Sequence, residues 1–277
     1  LDAVSAGLFG LTTNGGSEFC GYAIRSAVES LQWSQADSDI KTIFIAGNES
    51  FAQGPVSFRA AVEQARRQGI SVNTIHAGGH QQGIADQWQV GATLAGGDYM
   101  SIDADQRIVH IAAPQDEQIA ELNARLNRTY VPYGDAGAAS AERQLEQDSL
   151  SSGISAGLLA KRAASKSSGF YRNTGWDLVD ALDEGAVDEV GIAEMEEENL
   201  PEPMQDLTSQ QRMDYVREKA RERKEIQQRI LELSESRAAW VAARKAEMAE
   251  TAPSLSDALT SAIKNQAREK NFTLEKQ

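Results

Sequence analysis

Apolar positions come in short runs and in helical spacings along this chain, and helical spacings prevail in its second part. Up to about residue 105, short β-branched runs alternate with helical patterns. Ile40-Lys-Thr-Ile-Phe-Ile-Ala46 reads as a buried strand that ends in Gly47-Asn48-Glu49. The spacing then predicts a helix over 56–68, with Phe58, Ala61, Val62 and Ala65 on one face and Gly69 as its stop. Ile70–His76 is the next strand, 84–94 the next helix, and Tyr99–Asp103 a third strand. Helical patterns also cover 1–9 and 21–31. This rhythm predicts an α/β fold, a parallel sheet with right-handed crossovers and helices on both faces. Sheets of this kind hold ligands in the loops outside the carboxyl ends of their strands.

The second part is mainly helical. Helices are expected over 115–127 and 138–166. Thr174-Gly-Trp-Asp177 has a capping pattern and should open a short helix through Leu182. The stretch 180–206 holds 11 acidic residues and no basic one, and ends in Leu200-Pro-Glu-Pro203, so it reads as an exposed acidic connector. Thr208-Ser-Gln-Gln211 caps a long helix to about residue 250. Its apolar face includes Met213, Val216, Ala220, Ile226, Ile230, Leu233 and Trp240, with Arg237 interrupting the stripe. A last capping box, Ser254-Leu-Ser-Asp257, starts a final helix. The reading is an α/β domain over 1–112 and a helical extension over 113–277. Tyr130, Tyr133, Phe170, Tyr171 and Trp176 cluster near the join and are expected to pack the extension onto the first domain.

Charge and composition narrow the classes. The 277 residues carry 27 basic and 41 acidic groups, a formal charge of −14. Such a chain repels phosphate backbones, so nucleic-acid partners are not expected. No apolar run is long enough to span a bilayer. A single cysteine, Cys20, excludes an internal disulfide framework and a Cys-rich zinc module. Leu1 already lies inside a helical pattern, so the chain reads as a fragment cut within a domain.

Two segments offer chemistry. Thr12-Thr-Asn-Gly-Gly-Ser-Glu18 precedes the helix over 21–31, and Gly15 and Gly16 allow a tight turn and close approach to a ligand. Ser17 and Glu18 supply oxygens at its end, and Gly47-Asn48-Glu49 supplies more at the end of the first strand. Hydroxyl, amide and carboxylate oxygens suit Mg2+ or Ca2+ rather than zinc. The plainer alternative is that the glycines are turn residues and Ser17 a helix cap. A Cys-dependent hydrolase would have to pair Cys20, its pKa lowered at a helix start, with His76, His80 or His110. A lone cysteine more often packs, no nucleophile elbow is present, and Gly78-Gly79 separates His76 from His80. Catalysis is therefore not expected, and the histidines read as structural.

The order of helix, Gly-Gly-Ser loop, helix, strand with Gly47-Asn48, helix and strand resembles the later part of a von Willebrand factor type A domain, over about residues 1–105. Gln53-Gly-Pro55, Val72-Asn-Thr-Ile-His76 and Trp176-Asp-Leu-Val-Asp-Ala181 extend the likeness to a bacterial branch that pairs this domain with a helical extension. The resemblance implies a Rossmann-like sheet whose first strands lie upstream. It also implies a metal-ion-dependent adhesion site, with Ser17 at the place of the family's loop Thr and Asn48 at that of a later Asp. Glu18 and Glu49 are secondary ligand candidates, and Gly15, Gly16 and Gly47 shape the loops. Asn48 keeps an oxygen but lacks the charge, so weak Mg2+ or Ca2+ binding is implied, dependent on an upstream Asp-x-Ser-x-Ser strand. The implied role is non-enzymatic binding of another protein whose carboxylate completes the metal shell, outside the cytoplasm. A metal-independent interaction scaffold with a vestigial site is the alternative.

Overall fold

The computed structural model describes residues 1–12, 16–102, 111–247 and 255–273. In chain order its elements are α1 (Asp2–Phe9), α2 (Cys20–Ser30), β1 (Lys41–Gly47), α3 (Phe58–Arg67), β2 (Ile70–Ala77), α4 (His80–Ala85), α5 (Trp88–Leu94) and β3 (Tyr99–Ile102). Next come α6 (Asp116–Asn127), α7 (Gly137–Ile154), α8 (Ala156–Ser167), α9 (Leu178–Asp183) and α10 (Glu189–Glu194). A 3-10 turn (Glu197–Asn199), α11 (Glu202–Gln205), α12 (Ser209–Glu247) and α13 (Leu255–Glu269) complete them. The chain forms two compact units. A helical unit joins Leu1–Thr12 to Val109–Glu250, and a sheet unit joins Thr13–Ile108 to Thr251–Gln277. Helix α1 thus belongs to the helical unit and α13 to the sheet unit, whereas a single division at residue 112 would group each with the other unit.

In the sheet unit the three strands are parallel, in the order β1-β2-β3. The register sets Gly47 beside His76 and His76 beside Ser101, so the three carboxyl ends share one edge. Ile70 and Val72 pack with Ile24 and Val28 of α2, Phe58 and Val62 of α3, and Trp88 of α5. Alternate strand residues Phe44, Ile75, Met100 and Ile102 turn to the other face, where Ala262 and Leu259 of α13 cover them. Burial on both faces explains the continuous apolar runs of the strands. Gly21 lets α2 approach closely, because a Cβ there would strike the backbone before α3.

Buried Asn73 fastens α13 by polar contacts. Its Nδ2 donates to Thr42 Oγ1 at 2.8 Å, and its Oδ1 accepts from Asp98 N at 2.9 Å and Gln266 Nε2 at 3.0 Å. The helix expected over 84–94 is two helices. Gln87, with φ of 69°, breaks it, and the Asp86 carbonyl accepts from Phe51 N at 2.9 Å.

The helical unit has two cores. Ile119, Leu122, Leu126, Ala163, Tyr171, Ile226 and Ile230 form one, and Val131, Leu178, Ile192, Met204, Met213 and Val216 the other. The helix expected over 138–166 breaks at Ser155, whose extended backbone and hydroxyl cap α8 by accepting from Leu158 N at 3.0 Å. Asp177, not Thr174, caps α9, accepting from Asp180 N at 3.0 Å.

The acidic stretch 180–206 is not simply an exposed connector. It contains α10 and α11, and Ile192, Leu200 and Met204 are buried in the second core. The charges lie between these anchors, which a count of charges alone conceals. Within the aromatic group, Tyr171 does reach the segment expected as the first domain, its hydroxyl donating to Asp2 Oδ2 at 2.5 Å. Tyr130, Tyr171 and Trp176 pack within the helical unit's first core, Tyr133 joins the second, and Phe170 is 94% exposed. The capping box of α12 forms as expected, with Thr208 N donating to Gln211 Oε1 at 2.9 Å and Gln211 N to Thr208 Oγ1 at 3.4 Å.

Candidate functional site

The carboxyl edge of β1 is organised by Glu18. Its Oε2 accepts from the backbone N–H of Asn48 at 2.8 Å and of Glu49 at 3.2 Å. Gln53 Oε1 accepts from Glu18 N, so the same residue is held on both sides. Gly47 is required here, because a Cβ would collide with Glu18 Oε2 and approach the Trp88 ring. Trp88 Nε1 donates to the Glu49 carbonyl at 2.8 Å, and Phe51 packs edge-on against Trp88 with centroids 4.9 Å apart. A buried aromatic pair thus fixes the loop that carries Asn48 and Glu49.

Glu18, Asn48 and Glu49 therefore meet at this edge, and Ser17 adjoins Glu18 in the chain. Glu18 and Glu49 are half-buried, while Ser17 and Asn48 are exposed. Gly16 is also exposed, Gly47 ends β1, and Gly15 lies outside the described residues. The donor set is all oxygen and fits a hard cation in kind. One Glu18 oxygen is already taken by two amide protons, which leaves the other for a ligand. Among the described residues no group of three or more His, Cys, Asp or Glu is placed to hold a metal.

Cys20 departs from the expectation of a lowered thiol pKa. It is buried, and burial, reinforced by the nearby Glu18 carboxylate, pushes its pKa up to about 12. That is the reverse of what a nucleophile needs. His76 is buried against Trp88, with centroids 5.7 Å apart, and its Nδ1 has no hydrogen-bond partner. His80 Nδ1 lies 3.2 Å from Ser101 Oγ, and His110 falls outside the described residues.

Sequence patterning missed two polar clusters in the helical unit. In the first, Arg223 donates to Asp177 at 2.6 and 3.0 Å, to Asp180 at 2.9 Å and to the Thr129 carbonyl at 2.7 Å. Its guanidinium also lies 4.1 Å from the Tyr130 ring centroid. In the second, fully buried Lys166 donates to Asn123 at 2.9 Å, Asn127 at 2.5 Å and Asp148 at 2.7 Å. Burial lowers the Lys166 pKa to about 8 against the pull of Asp148. Asp148 also accepts from Arg162 Nε at 2.5 Å, and Arg162 reaches Asp2 at 2.8 Å. These partners lie up to 160 residues apart, so no local motif marks them. A pocket of about 450 Å3 in this unit, lined by Ala113, Pro114, Asp116, Ala120, Ala156 and Leu159, is largely apolar and shares no residue with the sheet edge.

No helix among the described residues is long and apolar enough to cross a membrane. No family model, curated protein or solved structure matches this chain.

Proposed function

We propose that the sheet unit is a Rossmann-like binding module of the von Willebrand factor type A kind, working without turnover, and that its partner is another protein. Ser17 and Asn48 bind Mg2+ or Ca2+ weakly, directly or through water, with Glu18 and Glu49 in support. A carboxylate of the partner completes the shell, and the module works outside the cytoplasm. The observation that carries this reading is the Glu18 bridge, which draws the loop ending in Ser17 to the carboxyl end of β1. Glu18, Asn48 and Glu49 meet at the edge where parallel sheets take ligands, and Ser17 adjoins Glu18 in the chain.

A second reading has its own support. Glu18 spends one oxygen on two backbone amides, which is how a protein uses a carboxylate as a structural anion acceptor. On that reading the edge is a metal-independent interaction scaffold. Calorimetric titration of the full-length protein with MgCl2 and CaCl2 separates the two. Heat of binding with a rise in melting temperature, both lost in Ser17→Ala with Asn48→Ala, supports the metal-assisted module. No heat and no shift leaves the scaffold.

A further inference from the structure

Helix α1 is attached to the helical unit in an unusual way. A surface helix ordinarily buries an apolar stripe and turns its polar face to water. In α1 the single buried residue is Asp2. Val4 and Leu8 are about two-thirds exposed, at 65% and 64%, and the flanking Leu1 and Leu11 are exposed at 70% and 74%. Hydrophobic burial therefore contributes little to holding α1 against α7.

The attachment is a carboxylate clamp. Asp2 Oδ1 accepts from Arg162 Nη2 at 2.8 Å, and Asp2 Oδ2 accepts from the Tyr171 hydroxyl at 2.5 Å. The clamp itself is built by other elements. Arg162 is fixed from behind by Asp148 and by the Gln144 carbonyl at 3.1 Å, and Tyr171 accepts from Gln144 Nε2 at 3.0 Å. Both side chains of the Arg162–Asp2 pair are only 11% exposed. The charges around it also require an anion. Asp148 is shared between Arg162 and Lys166, so it offsets one of two buried cations, and Asp2 supplies the second negative charge. Without Asp2 the cluster would hold an uncompensated, nearly buried positive charge beside an unpaired hydroxyl donor.

We propose that Arg162 and Tyr171 form a carboxylate-binding site, occupied here by Asp2, and that α1 is its displaceable occupant. A carboxylate from outside the unit takes the same two donors and releases α1. The site stands on the helical unit alone and does not depend on the sheet edge.

The test uses the whole chain carrying Asp2→Ala, with sodium acetate as the probe and sodium chloride at equal ionic strength as the control. Hydrogen exchange of the α1 amides should accelerate at least about tenfold in the variant, because they lose their clamp. Acetate should raise the melting temperature of the variant in a saturable way, more than chloride does, and adding Tyr171→Phe should weaken that rise. If Asp2→Ala does not fold, Asp2→Asn keeps the side-chain shape and allows the same comparison. Unchanged α1 exchange would show that Asp2 does not hold the helix. Acetate acting no better than chloride would show that no carboxylate site exists. Either result overturns the proposal.

Discussion

The carboxylate of Glu18 meets the backbone N–H of Asn48 at 2.8 Å across 30 residues of chain, and so joins the loop before α2 to the end of β1. Removing it in Glu18→Ala strands two amide donors at a half-buried edge. Because water can reach part of that edge, the cost sits near the low end for lost hydrogen bonds, about 1 kcal/mol. Glu18→Gln retains an acceptor oxygen and should recover part of it. Urea denaturation of the three proteins measures the order wild type, Gln, Ala. Equal midpoints for wild type and Ala would show that the bridge is energetically idle.

Arg223 presents a sterner case. It is buried, forked onto both oxygens of Asp177, and stacked over Tyr130. Arg223→Ala leaves buried Asp177 without its cation and Asp180 with the more distant, exposed Arg172 at 3.8 Å, a loss of about 3–5 kcal/mol. Arg223→Lys should restore only a minor share, because an ammonium cannot reproduce the two parallel bonds to Asp177. Chemical unfolding followed by far-ultraviolet circular dichroism reads both variants. A lysine variant as stable as wild type would show that charge alone matters there.

Cys20 can be probed through its chemistry. Its pKa rises from 9.0 to about 12 on folding. At pH 8 the native thiolate fraction is therefore about a thousandfold below that of the unfolded chain. Ellman's reagent should label the native protein only as fast as the sheet unit opens, and label it at once in urea. The native state keeps a proton that the unfolded state loses, so this group's contribution to stability is complete below pH 9 and is lost as the pH climbs towards 12. Rapid labelling of folded protein at pH 8 would restore Cys20 as a candidate nucleophile.

Much of the sheet was legible because its signals are local. Short β-branched apolar runs and the glycine after 68 mark β1, β2 and α3 to within about two residues. The edge residues were legible for the same reason, since Ser17, Glu18, Asn48 and Glu49 adjoin predicted element ends. Their joining was not, because Glu18 and Asn48 meet only through a fold in which Gly47 leaves space for a carboxylate. Ser155 misled for a related reason. Within a run of small residues it reads as helix, and only its extended backbone reveals a cap. The acidic stretch misled by composition, since Ala181, Ile192, Leu200 and Met204, buried among 11 acids, decide where it packs. Trp176, expected to serve a contact with the first domain, instead stacks on Tyr130 at 5.6 Å inside the helical unit. Trp176→Ala should therefore make α9 and its neighbours more sensitive to limited proteolysis, and unchanged resistance would count against that packing role.

Lys166 gives a pH dependence with a definite sign. Burial lowers its pKa from 10.5 to about 8, although Asp148 beside it favours the charged form. Between those values the native side chain is neutral while the unfolded one remains protonated. The unfolded state then binds more protons, so the stability contributed by this group rises with pH from about 8 towards 10.5. Cys20 and the buried tyrosines Tyr130 and Tyr171 pull the other way in the same range, since their pKa values are raised. The effect is isolated by comparing wild type with Lys166→Met, which removes the titrating amine and leaves those groups in place. Asn123 and Asn127 each lose a donor in the variant, so it should be less stable at every pH by about 1–3 kcal/mol. The gap between the two proteins should widen as the pH rises above 8. A gap that stays constant from pH 7 to 10 would show that Lys166 holds its proton throughout, with Asp148 outweighing the cost of burial.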